Sequence, residues 1–304
     1  MIHHVFANKS NVGDWLSAIG IQKLLSPYKV VEHLCDEPFV PETLDALENL
    51  GADDIVVIGG GGLFMDYFEP FWEGFLPLAS KIPFYIWGVG LCDVKGINSK
   101  PPPALMREIV QKCQGCFVRD SLSYSFIDEA DLPLPSGCPA MNALSTEVNN
   151  PNGHLLHVDA FDNVGEEVYE RINEIGMEWA KEHGRSFVHI NNLIKAGSNS
   201  ELEKILEIYS SASLIVTGRL HGCILSTAIN RPFVTVSGDK KIESFMDHAG
   251  LSDWLIDKNE VGKLRELINK AINTTFDTQT FAETIRSKNR KIGELIISQY
   301  GNKL

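Results

Sequence analysis

Short apolar runs alternate with longer amphipathic stretches along most of the chain, and this alternation constrains the fold more than any other feature. The run Ile-Val-Val-Ile at 55–58 lies between two aspartates and four glycines, as is typical of a strand buried on both faces. Buried strands that alternate with helices predict a parallel α/β sheet. The first half of the pattern predicts strands at 2–7, 30–34, 55–58, 84–87 and 116–119, and helices at 15–25, 41–49, 103–114 and 121–130.

A loop-forming cluster, Asn-Asn-Pro-Asn-Gly at 149–153, interrupts this alternation, which then restarts. A chain of 304 residues is also long for one core, because single cores stop growing near ~250–300 residues. We therefore predict two Rossmann-like lobes, 1–150 and 151–304, whose ligands would bind at the carboxyl ends of strands. The second half of the pattern predicts strands at 155–158, 187–190, 214–216 and 233–236, and helices at 164–183, 201–211, 222–230, 241–249, 260–273 and 278–299.

The charge balance argues against nucleic acid as a partner. The chain has 27 Lys and Arg against 40 Asp and Glu, a net charge of −13, and such a surface repels DNA and anionic membranes. Residues 1–150 hold nine basic and nineteen acidic side chains, whereas residues 151–304 hold eighteen and twenty-one. A phosphate or carboxylate is therefore expected to bind the second half.

The sequence shows neither a targeting segment nor a membrane span. Residues 1–7 lack the basic head and apolar core of a signal peptide, and no eighteen apolar residues run uninterrupted. The six cysteines are scattered, mostly within apolar stretches, as in cytosolic proteins. Cys113 and Cys116 form the one CxxC pair, and without a second pair this is weak evidence for zinc. We predict a cytoplasmic protein with no metal site.

The stretch Leu-Ile-Val-Thr-Gly-Arg-Leu-His-Gly-Cys at 214–223 is the richest candidate site. A buried strand ends there and a helix begins, so free N–H groups and the positive end of the helix dipole favour an anion. Arg219 offers a planar fork for phosphate or carboxylate, and His221 can donate a hydrogen bond or a proton near neutral pH. The structural alternative is a salt bridge between lobes from Arg219 and a helix cap from His221. Their position at a strand's carboxyl end favours a functional role.

A run of four glycines, followed by Leu-Phe-Met-Asp, is the second candidate. Glycines let the backbone approach a ligand closely, which makes Gly60, Gly61 and Gly62 candidate contacts. The spacing fits neither a dinucleotide fingerprint nor a Walker loop, so a plain tight turn is the alternative. Asp66 is either an acid/base group or the cap of a short helix.

Three further positions follow predicted strands. Asp14 is predicted to be the N-cap of the first helix, with Asn11 shaping the loop over a ligand as the alternative role for this segment. Arg119 is either a second anion ligand or half of an ion pair with Asp120. Lys240 is either a ligand or, as lysines usually are, a solvated side chain.

Together these segments resemble the polysaccharide pyruvyl transferases. The shared segments are Asn-Val-Gly-Asp at 11–14, the glycines at 59–62, Val-Arg-Asp-Ser at 118–121, Thr-Gly-Arg-Leu-His-Gly at 217–222, Arg-Pro at 231–232 and Asp-Lys at 239–240. The resemblance covers about residues 8 to 251, and the Arg-Leu-His-Gly segment is its most specific part.

The resemblance implies a two-lobed fold like that of GT-B glycosyltransferases, with the active site in the cleft. It implies transfer of the enolpyruvyl carbons of phosphoenolpyruvate to two hydroxyls of a sugar, which gives a cyclic pyruvate ketal and phosphate. The implied acceptor, on the N-terminal lobe, is a lipid-linked or nucleotide-linked sugar of an exopolysaccharide, capsule or cell-wall glycan. No metal and no cofactor beyond the donor are implied, and membrane contact would be at most peripheral, at the inner face.

The resemblance also suggests roles for residues. His221 would be the general acid or a phosphate donor, and Asp66 or Asp14 would activate the sugar hydroxyl. The substrate-binding candidates are Arg219, Leu220, Gly222, Arg119, Lys240, Asn11, Gly60, Gly61 and Gly62.

The chain departs from the resemblance at Cys138-Pro-Ala, where family members commonly carry Asp-Pro-Ala. If that carboxylate contacts ligand in relatives, Cys138 cannot replace it. Two rival functions stay open. A GT-B glycosyltransferase would need a carboxylate for the donor ribose, for which Glu243 is the candidate, and a non-catalytic sugar-binding relative would need no chemistry at all.

Overall fold

The computed structural model describes residues 1–97, 99–128, 132–144, 153–274 and 277–301. Ten strands form two separate five-stranded sheets, and their pairings are parallel. The prediction of two α/β lobes with parallel sheets is therefore confirmed.

The first sheet has the order β2-β1-β3-β4-β5. Its strands are β1 (Ile2–Phe6), β2 (Val30–Leu34), β3 (Ile55–Gly59), β4 (Phe84–Trp87) and β5 (Gly115–Phe117). The helices of this part of the chain are α1 (Val12–Leu24), α2 (Val40–Glu48), α3 (Glu69–Phe75), α4 (Pro103–Val110), α5 (Ser121–Ile127) and α6 (Ala140–Ala143), with a 3-10 helix at Asp66–Phe68. Every residue of β3 is buried, as expected for a central strand covered by helices on both faces.

The second sheet has the order β10-β9-β8-β6-β7. Its strands are β6 (His154–Val158), β7 (Phe187–Ile190), β8 (Ala212–Thr217), β9 (Phe233–Ser237) and β10 (Leu255–Asp257). The helices that follow β6 are α7 (Phe161–Val164), α8 (Glu166–Glu182), α9 (Asn199–Ser211), α10 (Leu220–Ala228), α11 (Lys240–His248), α12 (Leu264–Ile272) and α13 (Gln279–Gly301), with 3-10 helices at Ser252–Trp254 and Lys258–Lys263.

Most predicted elements agree with the structure to within a few residues, and the unpredicted helices and strands are α3, α6, α7 and β10. The α3 segment, Glu-Pro-Phe-Trp-Glu-Gly-Phe, mixes aromatic residues with Pro and Gly, which are poor helix formers. The other three elements have only three or four residues each, which is too few to show a period.

The two lobes share apolar contacts. One buried cluster joins Phe6 and Leu16 of the first lobe to Ile215 and Cys223 of the second. The predicted boundary at residue 150 lies outside the described residues.

The last helix packs back onto the first lobe. Ile292 and Ile296 of α13 lie in a buried cluster with Ile2 and Ile21. The Trp87 indole N–H also donates to the Asn289 side chain across 2.7 Å. Position along the chain alone predicts that this helix belongs to the second lobe, whereas these contacts join it to strands and helices near the start of the chain.

Within the described part of the chain, no helix is both long and apolar enough to cross a bilayer.

Candidate active site

A cavity of about 300 Å³ lies where the two lobes meet. The carboxyl ends of strands from both sheets lead into its walls, which is where ligands bind in open parallel sheets. The lining residues are Asn11, Asp14, Gly62, Met65, Tyr67, Phe68, Cys92, Arg119, Asn163, Asn192, Arg219, Leu220, His221 and Lys241. Seven of the predicted site residues lie together in this lining: Asn11, Asp14, Gly62, Arg119, Arg219, Leu220 and His221.

Arg219 and His221 stand at the start of α10. Arg219 is the N-cap residue of this helix, and no side chain caps the helix amides that follow. The Arg219 guanidinium is held on one side, because its Nε donates to the carbonyl of Asp159 and its Nη2 lies 3.8 Å from the Asp162 carboxylate. The first turn of α10 therefore offers free N–H groups and a guanidinium to one anion.

Arg119 brings a second guanidinium from the first lobe. It follows β5, is only 4% exposed, and its Nε lies 3.0 Å from the Asp120 carboxylate. Its Nη2 has no hydrogen-bond partner among the described residues. A Cβ on Gly90 would lie 1.9 Å from that Nη2, so only glycine there allows the guanidinium this position. A buried guanidinium with an unused donor is costly unless a ligand satisfies it.

The third cation is Lys241 and not the predicted Lys240. Lys241 is the second residue of α11, and its Nζ lies 2.7 Å from the Asp239 carboxylate and 3.4 Å from Cys92 Sγ. Burial opposes its charge, but Cys92 and Asp239 outweigh burial and raise the pKa of the ammonium. Lys240 lies outside the lining, with its side chain 55% exposed and its Nζ 3.6 Å from the Asp93 carboxylate.

His221 lies between these cations. Burial lowers the pKa of its imidazole well below the usual value, and the charges of Arg119, Lys241 and Arg219 lower it further. The ring is therefore neutral at neutral pH in the free protein. Its Nε2 lies 3.9 Å from Cys138 Sγ, which is also 3.2 Å from the Ser17 hydroxyl. Cys138 is buried behind the histidine and does not line the cavity.

Asp14 lies opposite these basic groups, in the first turn of α1. The prediction that Asp14 caps this helix is wrong: the cap is Asn11, whose side-chain oxygen accepts from the N–H groups of Gly13 and Asp14 at 2.9 and 3.4 Å. Because Asn11 takes that role, the Asp14 carboxylate is free to line the cavity. Burial raises the pKa of Asp14 to about 6, although Arg119, Lys241 and Arg219 oppose the shift.

The raised pKa of Asp14 makes a prediction about stability. The pKa of the Asp14 carboxyl is near 3.8 in the unfolded chain and about 6 in the folded protein, so ionisation of Asp14 destabilises the folded protein. This loss of stability is absent below pH 4, grows between pH 4 and 6, and is complete above pH 6. Asp14→Asn should therefore stabilise the protein by on the order of 2–3 kcal/mol above pH 6 and by little at pH 4. Urea unfolding at pH 4, 5, 6 and 7.5 measures this. Asp66→Asn, at an exposed carboxylate outside the cavity, is the control, and a gain at Asp14 that is equal at all four pH values would contradict the assignment.

The glycine run packs closely against α1, and most of the run lies outside the cavity lining. Gly60 and Gly61 have φ of +85° and +83°, which L side chains rarely adopt. A Cβ on Gly61 would lie 2.4 Å from the Asp14 carboxylate, and one on Gly60 would lie 2.8 Å from Ser17 Cβ. Of the three predicted glycine contacts, the cavity lining includes Gly62.

Asp66 and Gly222 also lie outside the lining. The Asp66 carboxylate accepts from the Tyr67 N–H at 2.8 Å, and Asp66 is the first residue of the 3-10 helix. The structural alternative, that Asp66 caps this helix, is wrong, because the N-cap residue is Met65. Gly222 packs against Thr217, whose hydroxyl oxygen would lie 2.1 Å from an added Cβ.

Seven lining residues were not predicted to have a site role: Met65, Tyr67, Phe68, Cys92, Asn163, Asn192 and Lys241. A signal existed for Asn192 and Lys241. Asn192 follows the predicted strand at 187–190. Asp239 follows the predicted strand at 233–236 and caps α11, and Lys241 is the second residue of that helix. Nothing local marked Tyr67 or Cys92, which lie in the 3-10 helix at Asp66–Phe68 and in the loop after β4.

The described residues contain no cluster of three or more His, Cys, Asp or Glu side chains that could hold a metal ion.

The order and spacing of these segments match one family model, polysaccharide pyruvyl transferase, over residues 6–240. The chain belongs to the polysaccharide pyruvyl transferase family. Arg119, Arg219, His221 and the start of α11 all lie within the matched region. Membership indicates a transferase of polysaccharide biosynthesis. No curated protein sequence is significantly similar to this pyruvyl transferase homologue.

Solved structures confirm the GT-B-like arrangement of this family member. The UDP-GlcNAc 2-epimerase of Methanocaldococcus jannaschii is similar with a TM-score of 0.63 and 12% identity, over 97% of this chain and 99% of the epimerase. The enzyme of the same name from Neisseria meningitidis gives 0.63 and 12%, over 98% and 99%. MnaA of S. aureus, solved with UDP, gives 0.60 and 11%, over 100% and 97%. At these identities the likeness concerns the fold alone.

Proposed function

We propose that this family member transfers the enolpyruvyl carbons of phosphoenolpyruvate to two hydroxyls of a sugar, forming a pyruvate ketal in a polysaccharide or cell-wall glycan. The observation that supports this most is the meeting of Arg119, Arg219 and Lys241 in one cavity of a protein whose net charge is −13. Because an acidic chain concentrates three cations in one cavity, the cavity favours a ligand with several negative charges.

Phosphoenolpyruvate has the matching charges, because a phosphate and a carboxylate lie within a few atoms of each other. The proposal assigns the phosphate to Arg219 and the free amides at the start of α10, where a planar fork and the helix dipole act together. It assigns the carboxylate to Arg119 and Lys241, so that the unused Nη2 donor of Arg119 acquires a partner.

The proposed reaction then needs three proton transfers to or from the substrates. His221 donates a proton to the methylene carbon, which becomes the methyl group, and the first sugar hydroxyl attacks the central carbon while Asp14 takes its proton. The second hydroxyl closes the ring at the same carbon as the phosphate leaves, and its proton departs with the phosphate. One hydroxyl proton is thereby returned through solvent from Asp14 to His221, and the atoms balance.

The donor itself would prepare His221 for this role. In the free protein three cations and burial hold the pKa of the imidazole well below its usual value. Phosphate and carboxylate bound to Arg119, Lys241 and Arg219 offset those charges and raise the pKa, since an anion near an imidazole favours its protonated form. Protonation of His221 would thus accompany donor binding.

Transfer from a nucleotide sugar has less support. That reading needs a free carboxylate for the donor ribose, and the candidate was Glu243. Glu243 forms an ion pair with Lys95, accepts from the Ser237 hydroxyl at 3.2 Å, and does not line the cavity.

A thermal-shift series tests the proposal. Phosphoenolpyruvate at a hundred times its dissociation constant should stabilise the protein by roughly 2.7 kcal/mol, whereas UDP, GDP and CMP should not. Arg219→Ala should abolish the shift, because it removes the fork at α10. Lys240→Ala, which alters an exposed lysine outside the cavity, is the matched control and should retain it. Stabilisation by a nucleotide and not by phosphoenolpyruvate would contradict the proposal.

A further inference from the structure

The cavity lining holds two chemically different sets of side chains. One set is cationic, Arg119, Arg219 and Lys241, and the other is apolar or aromatic, Met65, Tyr67 and Phe68 in the segment after the glycine run. The cationic set suits an anion, and its chemistry does not explain the aromatic set. Ligand pockets commonly pair apolar surface with a few placed polar groups, so the aromatic set indicates a second ligand of low charge.

Tyr67 is exposed but fixed. Its side chain lines the cavity while the residue is 46% exposed. The ring stands edge-on against Phe68, with centroids 5.0 Å apart and planes at 90°. Its hydroxyl donates to the Asp36 carboxylate in the loop after β2, and this hydrogen bond raises the pKa of the phenol to about 12. An exposed aromatic ring that is held at both its edge and its hydroxyl loses little conformational entropy when a ligand stacks on it.

Acidic groups surround this ring. Asp36 is bonded to it, and Glu37 is close enough to contribute to the raised pKa of the phenol. Asp36 also lies close enough to Asp14 to raise the pKa of that carboxyl. These carboxylates accept hydrogen bonds from hydroxyl groups and repel anions.

We propose that Tyr67 stacks on the apolar C–H face of the acceptor sugar and that Asp36 makes this subsite selective for an uncharged pyranose. This inference rests on the proposed function, because it places the acceptor in the same cavity as a donor held by Arg119, Arg219 and Lys241. A pyranose has an apolar face for the ring and a hydroxyl edge for the carboxylates, whereas a uronic acid would bring a second negative charge to Asp36 and Asp14.

Ligand-detected NMR on the intact protein tests the subsite with defined probes. The probes are the methyl pyranosides of glucose, galactose, N-acetylglucosamine and N-acetylmannosamine, with methyl glucuronide as the anionic counterpart and UDP as a probe for base stacking. At least one neutral pyranoside should show saturation transfer with the wild type, and glucuronide should not. Tyr67→Ala should weaken the neutral pyranoside roughly tenfold, and Tyr67→Phe should lose much less because it keeps the ring.

Phe39→Ala is the matched control, because Phe39 is similarly exposed, at 41%, yet does not line the cavity. It should leave pyranoside binding unchanged. Asp36→Asn should allow glucuronide to bind, with several-fold higher affinity than in the wild type.

The outcomes separate this inference from the proposed function. Pyranoside binding that is unchanged in Tyr67→Ala, no pyranoside binding to a wild type that phosphoenolpyruvate stabilises, or stacking of the UDP base in place of a sugar would each overturn the subsite. Pyranoside binding through Tyr67 together with no response to phosphoenolpyruvate would instead overturn the proposed donor and leave the sugar subsite supported.

Discussion

Replacing His221 by Ala is expected to reduce pyruvyl transfer by roughly 10²- to 10⁴-fold while changing the melting temperature by only a few degrees. General acid catalysis contributes up to about 10⁴-fold, and no other described side chain in the cavity combines a titrating nitrogen with a position between Arg119, Lys241 and Arg219. Stability should change little, because among the described residues the imidazole makes one long polar contact, 3.9 Å to Cys138 Sγ, and burial among cations disfavours its charged form.

Phosphate release from phosphoenolpyruvate, followed with a sugar acceptor and by thermal unfolding in parallel, measures both effects. His189→Ala is the matched control, because His189 also lies at a strand end of the second lobe but does not line the cavity. An active His221→Ala protein would contradict the assignment of the general acid. A His221→Ala protein that is inactive only because it no longer folds would show instead that the residue is structural.

Most strands of the two sheets could be predicted because each is a short run of mainly apolar residues. Val30–Leu34, Phe84–Trp87 and Phe187–Ile190 were predicted to the residue. The return of α13 to the first lobe could not be predicted, since amphipathic periodicity shows that a helix has an apolar face and does not show which sheet covers it. The contact between Trp87 and Asn289 joins residues that no local pattern relates.

The site was partly predictable for a related reason. Arg119, Arg219 and His221 directly follow strands, and parallel strands bring their carboxyl ends together, so the topology alone gathers these residues. Asp14 was assigned the wrong structural role because both Asn11 and Asp14 are good N-cap residues, and only the backbone decides which of them accepts the helix N–H groups. Lys240 and Lys241 differ by one position, which on a helix is a turn of about 100°, enough to move the side chain from solvent into the cavity.

The close approach of α1 to both lobes leads to the second large prediction. Gly13 and Gly20 lie seven residues apart on α1 and therefore on nearly the same face of the helix. A Cβ on Gly13 would lie 1.9 Å from His221 Nδ1, and a Cβ on Gly20 would lie 2.0 Å from the carbonyl oxygen of Pro139. Two heavy atoms cannot approach so closely, so each substitution must displace a neighbour. Gly13→Ala displaces the His221 side chain, and Gly20→Ala displaces the backbone at Pro139.

Gly13→Ala is expected to lower pyruvyl transfer by at least a hundredfold with a modest change in stability. The imidazole of His221 can rotate away, and activity falls because a displacement of about 1 Å in a catalytic group costs about a hundredfold in rate.

Gly20→Ala is expected to lower the free energy of unfolding with little loss of pyruvyl transfer. A backbone carbonyl cannot rotate away, and overpacking costs about 1–3 kcal/mol or more. Urea unfolding and turnover are measured for both variants. The helix itself does not confound the comparison, because Ala favours helix over Gly by about 1 kcal/mol at either site. Full activity in Gly13→Ala would show that His221 does not need its observed position, whereas a Gly20→Ala protein as stable as the wild type would show that α1 and the segment at Pro139 separate at little cost.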